Sequence, residues 1–292
     1  MWESYTFALR LAIYLALSGL ISAAISLLIS QRKTVKTRFS SAFQHSLKAY
    51  FRFSLMLLLG ASLGYFWIRV GAFAEEGFAG LLDSLMISIL YDSGLGKALN
   101  YHLVAALFAT LFYIANHYLS PLWIRLLLLI SMLTSITLSF SFTGHTADFN
   151  LLEKSLLSLH ILIAFLWLGS LYPLYQLVRL EQPNSVKNVL ESFGFYASYA
   201  VPLLLIAGLC LVYLITDFSL ALLITYWGGF LLAKLAIVAA ILALAAWHKY
   251  RLVPDYLAPL GSFKMATSLR MEIYLGLGIL AFSAVLSTLV SP

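Results

Sequence analysis

The sequence predicts an all-α fold, a polytopic bundle of about eight transmembrane helices, and three observations carry that prediction. Hydrophobic residues fill 62% of the 292 positions and charged residues only 10%, whereas soluble globular chains are about a quarter charged. The mean hydropathy is +0.94, an apolar excess that no water-soluble core absorbs. Apolar runs of the roughly 20 residues needed to cross a bilayer recur along most of the chain. Each run must be helical, because lipid offers the backbone no hydrogen-bond partner.

The runs place spans at about 5–29, 47–70, 97–117, 121–143, 155–179, 195–217, 226–248 and 270–290. The first begins MWESYTFALR, with Glu3 ahead of Arg10, no basic leader and no small-residue cleavage site, and so reads as a retained helix. Arg32, Lys33, Lys36 and Arg38 follow it. Arg125 opens the fourth span, Arg179 and Lys187 follow the fifth, and Lys249, Arg251, Lys264 and Arg270 surround the loop before the last. These basic loops predict the cytoplasmic side. The alternate loops carry Glu75, Glu76, Asp83, Asp92, Asp148, Glu153 and Asp217, with Arg69, Lys97 and Lys154 among them. An even number of spans then puts both termini outside. Between the second and third spans, GFAGLLDSLMISILYDSGLG is too interrupted to cross and apolar enough to lie in the interface as a short helix. Residues 1–292 read as a single transmembrane domain surrounded by lipid, and the basic balance of +6 reports orientation rather than a nucleic-acid partner.

Candidate chemistry is confined to a few groups. The single cysteine, Cys210, excludes an internal disulfide and a CxxC motif. GLGKA at 94–98 mimics the end of a phosphate loop, but Tyr91 stands where its first glycine belongs and Ala98 where Ser or Thr belongs. HExxH, GxSxG and EF-hand patterns are absent. A carrier or channel is therefore expected rather than an enzyme.

Six histidines, at 45, 102, 117, 145, 160 and 248, hold the remaining interest, because imidazole binds transition metals and a polar group within a span needs a reason. His145, at the outer end of the fourth span, and His160, just inside the fifth, are joined by a short outer loop. His102, at the outer start of the third span, is a third candidate for the same rim, and Met86 in the interfacial segment is a candidate soft ligand. Against this, single histidines at helix ends are usually interfacial, and lone sulfurs in apolar helices usually pack. Lys234 stands a third to halfway into the seventh span, where an ammonium costs a few kcal/mol unless paired; Glu272 and Asp217 are its candidate partners. His248 ends the same span on the inner side.

Several of these residues occur in a recognisable order: Gly144-His145, Leu159-His160, Trp167-Leu168-Gly169, the run from Trp227 to Leu235 (WGGFLLAKL), Arg251-Leu252-Val253-Pro254, and Leu269-Arg270 followed by Glu272. From about residue 140 to 292 the chain resembles the copper resistance protein D family. The resemblance implies a multi-pass protein of the bacterial inner membrane that transports copper, inward from the periplasm, and receives it from a small periplasmic copper-binding protein. Two positions depart from the family pattern, which commonly has Tyr-Gly where Trp227-Gly228 stands and Asn where His248 stands. The alternatives are a b-type cytochrome, with His102 and His160 on an outer haem and His117 and His248 on an inner one, and a membrane protein that docks a periplasmic copper chaperone without transporting.

Overall fold

The computed structural model describes residues 2–30, 39–118, 120–142, 149–216 and 225–288. It holds α1 (Trp2–Ser30), α2 (Ser41–Ala74), a 3-10 segment (Gly77–Leu82), α3 (Ser84–Asp92), α4 (Gly94–His117), α5 (Leu122–Ser139, continued by a 3-10 turn over Phe140–Phe142), α6 (Leu151–Leu180), α7 (Pro183–Thr216), α8 (Tyr226–Trp247, continued by a π-helical turn over His248–Leu252) and α9 (Gly261–Thr288). All of these except α3 and the first 3-10 segment belong to eight helices long and apolar enough to cross a membrane, in agreement with the predicted spans. A short helix is present in the predicted segment as α3.

The helices outrun their apolar stretches mainly at one end. α2 begins at Ser41 rather than about 47, α7 at Pro183 rather than about 195, and α9 at Gly261 rather than about 270. Hydropathy sees only the lipid-matched part of a helix, whereas capping decides where the helix starts. The Ser40 hydroxyl accepts the Phe43 N–H at 3.2 Å, and Pro183 needs no amide partner at the first helical position. On the other side, Asn150 and Glu153 form a capping box that starts α6 at Leu151. The 34 residues of α7 rise about 51 Å, well beyond a hydrocarbon layer of about 30 Å.

Alternating crossings put the start of α1 and the end of α9 on one face, and the two helices are joined by a side-chain bond: the Tyr14 hydroxyl in the first half of α1 donates to Ser287 Oγ near the end of α9 at 3.0 Å. Glu3, Glu75, Glu76, Asp83, Asp92 and Glu153 flank this acidic face. Lys48, Arg52, Arg125, Arg179, Lys187, Lys249, Arg251, Lys264 and Arg270 flank the opposite, basic face. There the Ser40 N–H donates to Glu181 Oε1 at 2.7 Å, tying the start of α2 to the end of α6.

The centre of the bundle is α1, which packs against α2, α4, α5, α6 and α9. Its middle reads LALSGLISAA, and from Ala16 to Ala24 every residue is buried. Small residues let backbones approach where lipid supplies no hydrophobic drive between helices. A Cβ at Gly169 of α6 would fall on the Ser18 carbonyl oxygen, and one at Gly19 on Ser54 Oγ of α2. Gly169→Leu is expected to destabilise the bundle by at least the ~1–3 kcal/mol typical of overpacking, since the obstruction is backbone. A lower midpoint in an SDS unfolding titration of the purified protein checks it. Outward-facing Phe53, Met56, Leu107, Trp123 and Tyr196 are exposed, the inside-out pattern a lipid-facing surface requires.

Candidate metal centres

Four intramembrane polar groups lie eight or nine residues from helix ends on the acidic face: Arg10 on α1, His102 on α4, His160 on α6 and Lys234 on α8. The rise of about 12–14 Å puts them at similar depth, in the half of the bundle nearest that face.

Arg10 is 8% exposed although it carries a fixed charge. Its guanidinium lies over the Tyr14 ring at 5.3 Å and the Tyr65 ring at 5.5 Å, and Nε donates to the Tyr14 hydroxyl at 3.2 Å. Cation–π contact is the natural support for a guanidinium out of water. His102, 6% exposed, shares this region: its Nδ1 is 2.9 Å from Ser62 Oγ of α2, and Arg10 is within electrostatic reach. Arg10 was visible in the sequence as a charge inside the first apolar run, but its two tyrosines come from different helices.

His160 faces α7. Its Nδ1 lies 3.2 Å from the Leu204 carbonyl oxygen, and the ring rests on Gly208, where a Cβ would approach Cε1 to 2.9 Å. A carbonyl only accepts, so this bond holds the ring proton on Nδ1 and places the lone pair on Nε2. Metal-binding histidines are oriented in this way by a partner on the other ring nitrogen. The Lys234 ammonium on α8 is within electrostatic reach of the ring.

The remaining candidates fall elsewhere. His145 lies outside the described residues. Met86 packs on the apolar cluster of Phe66, Val70, Leu90 and Leu99, and its N–H donates to Asp83 Oδ1 at 2.7 Å. His102 bonds to α2 and His160 to α7, so the two rings proposed for one rim, or for one outer haem, are held at different helix interfaces. Among the described residues, no group of three His, Cys, Asp or Glu side chains is placed to hold a metal ion.

Lys234 has no carboxylate within ion-pair distance among the described residues, and Asp217 lies outside them. Glu272 pairs instead with His248: Nδ1 to Oε1 is 3.3 Å, while His248 Nε2 is 2.6 Å from Ser268 Oγ. The antiparallel arrangement of α8 and α9 explains the correction. Lys234 sits toward the acidic-face end of α8, whereas Glu272 lies in the basic half of α9, opposite the far end of α8. Ser268 and Glu272, four residues apart, share a helix face toward His248, a pairing that becomes visible only once the two helices form a hairpin.

Between the two levels lies a cavity of about 220 Å³ bounded by α1, α2, α6 and α9. Its wall is apolar apart from Ser18, Ser54, Tyr50 and Tyr172, and it reaches Gly276, one turn along α9 from Glu272.

Two family models match the chain: "Copper resistance protein D-like, N-terminal domain" over residues 1–150 and "Copper resistance protein D" over residues 187–286. His102 and His145 fall in the first range, Lys234, His248 and Glu272 in the second, and His160 between them. A relative, "Inner membrane protein YebZ" of Escherichia coli (strain K12), is 32% identical over 100 residues, which is 33% of this chain and 34% of that protein, so the match spans about a third of the relative's length. No solved structure matches.

Proposed function

The chain belongs to the copper resistance protein D family, and from that premise we propose that it carries copper ions through the inner membrane in which it is embedded, from the periplasm to the cytoplasm. The acidic face is then periplasmic and the basic face cytoplasmic, as the distribution of Lys and Arg favours. The observation that carries the reading is His160, an intramembrane imidazole whose proton is engaged by Leu204 and whose Nε2 is available to a metal. His145, His102 and Met86 are the further ligands proposed for the entry region, each weak alone. A succession of weak sites suits transport, because a closed tight cage would retain its ion.

Glu75, Glu76 and Asp92, all exposed near the entry face, raise the local concentration of cations and suit docking of a small periplasmic copper-binding protein with a complementary surface. The chemistry asked of the protein is coordination and release, with no bond made or broken in a substrate. The test is copper uptake into proteoliposomes holding the purified protein alone. Uptake above that of protein-free vesicles is expected, and equal uptake overturns the proposal in favour of a docking protein.

A further inference from the structure

The basic half of the bundle contains a second group of ligating atoms, which the entry region does not use. Glu272 is 3% exposed, and its Oε1 is buried with no hydrogen-bond partner among the described residues. Removing a carboxylate oxygen from water and leaving it unbonded is costly, so such an atom calls for a ligand. The nearest described ionisable group is His248 Nδ1 at 3.3 Å, an approach too poorly aligned to satisfy the oxygen as a hydrogen bond.

We propose that His248 Nδ1 and Glu272 Oε1 chelate a transition-metal ion at the basic end of α8 and α9, forming the release site for the ion that the protein carries. The bite fits. With metal–nitrogen and metal–oxygen bonds of about 2.0–2.2 Å, a 3.3 Å separation gives an angle of roughly 105° at the metal, close to tetrahedral. The ring is anchored for this role, since Nε2 is held 2.6 Å from the Ser268 hydroxyl while Nδ1 stands on the carboxylate side at 3.3 Å. His248 also opens a π-helical turn, a distortion concentrated at functional positions. The cavity below the entry region reaches the same face of α9, with Gly276 one turn from Glu272. An imidazole and a carboxylate suit a divalent first-row ion, whereas cuprous ion prefers sulfur.

This inference rests on the transport reading, and the experiment separates the two. Aqueous Cu(II) is titrated into the purified full-length protein in lipid nanodiscs, and binding is compared with that of His248→Ala and Glu272→Gln. Each variant is expected to lose one equivalent of bound copper and the corresponding nitrogen modulation in the pulsed EPR spectrum. Ser268→Ala keeps both ligands and guards against a folding defect; it is expected to weaken that equivalent about 10- to 100-fold. Unchanged stoichiometry and affinity in the three variants overturn the site. If the site binds copper but the intact protein moves none into vesicles, transport fails and the site stands. If copper moves and the variants bind as the parent does, the site fails and transport stands.

Discussion

His160→Ala is expected to lower the initial rate of copper uptake into proteoliposomes by at least ~10-fold, with the purified variant still eluting as a single folded species. The magnitude follows from what is removed. Losing an outer partner of a metal-binding histidine costs about 10- to 100-fold in affinity or activity, and losing the ligand itself costs no less. The ring is well placed for a large effect, since Leu204 holds its proton and Gly208 gives it room on α7. Gly208→Leu supplies a second arm: it keeps the imidazole but displaces it, and uptake is expected to fall again. His145→Ala, made in parallel, reports whether that candidate shares the ion. Uptake equal to the parent's in both histidine variants would remove the entry site while leaving the transport proposal to its own test.

How much of this was legible in the sequence differs between fold and site. The spans were legible because a bilayer imposes a minimum apolar length, and α3 as a short separate helix because its run falls short of that length. The early starts of α2, α7 and α9 were not, because Ser40, Pro183 and the residues after them are polar positions that hydropathy discards and capping uses. His160 was legible as an imidazole inside a span. Its partners were not, since a backbone carbonyl and a glycine carry no signal of their own. The tie between Glu272 and His248 was missed because charge alone pointed to Lys234, and only the register of the α8–α9 hairpin separates those two residues. Arg10 is the plainest omission: a charge eight residues inside the first helix was weighed only as part of a possible leader segment, although a buried guanidinium needs the aromatic faces that Tyr14 and Tyr65 supply.

Lys234→Met is expected to make copper bind at least ~10-fold more tightly at His160 and to slow uptake. A cation site within reach of a lysine looks self-defeating, and the resolution lies in what a carrier requires. Among the described residues no carboxylate neutralises Lys234, and its charge reaches the His160 ring. Two unit charges about 4–8 Å apart repel by roughly 2–4 kcal/mol at an effective dielectric constant of 20, enough to weaken a bound cation about 30- to 1,000-fold. Such repulsion keeps His160 from becoming a trap, and conduction needs binding weak enough to leave. Removing the charge should therefore separate two quantities that a lost ligand lowers together: affinity rises while flux falls. Competition against a chelator of known strength measures the first and vesicle uptake the second. Lys234→Arg preserves the charge and is expected to keep both near the parent values. Tighter binding with faster uptake would mean that release does not limit transport, and an unchanged affinity would mean that the ion does not dwell at His160.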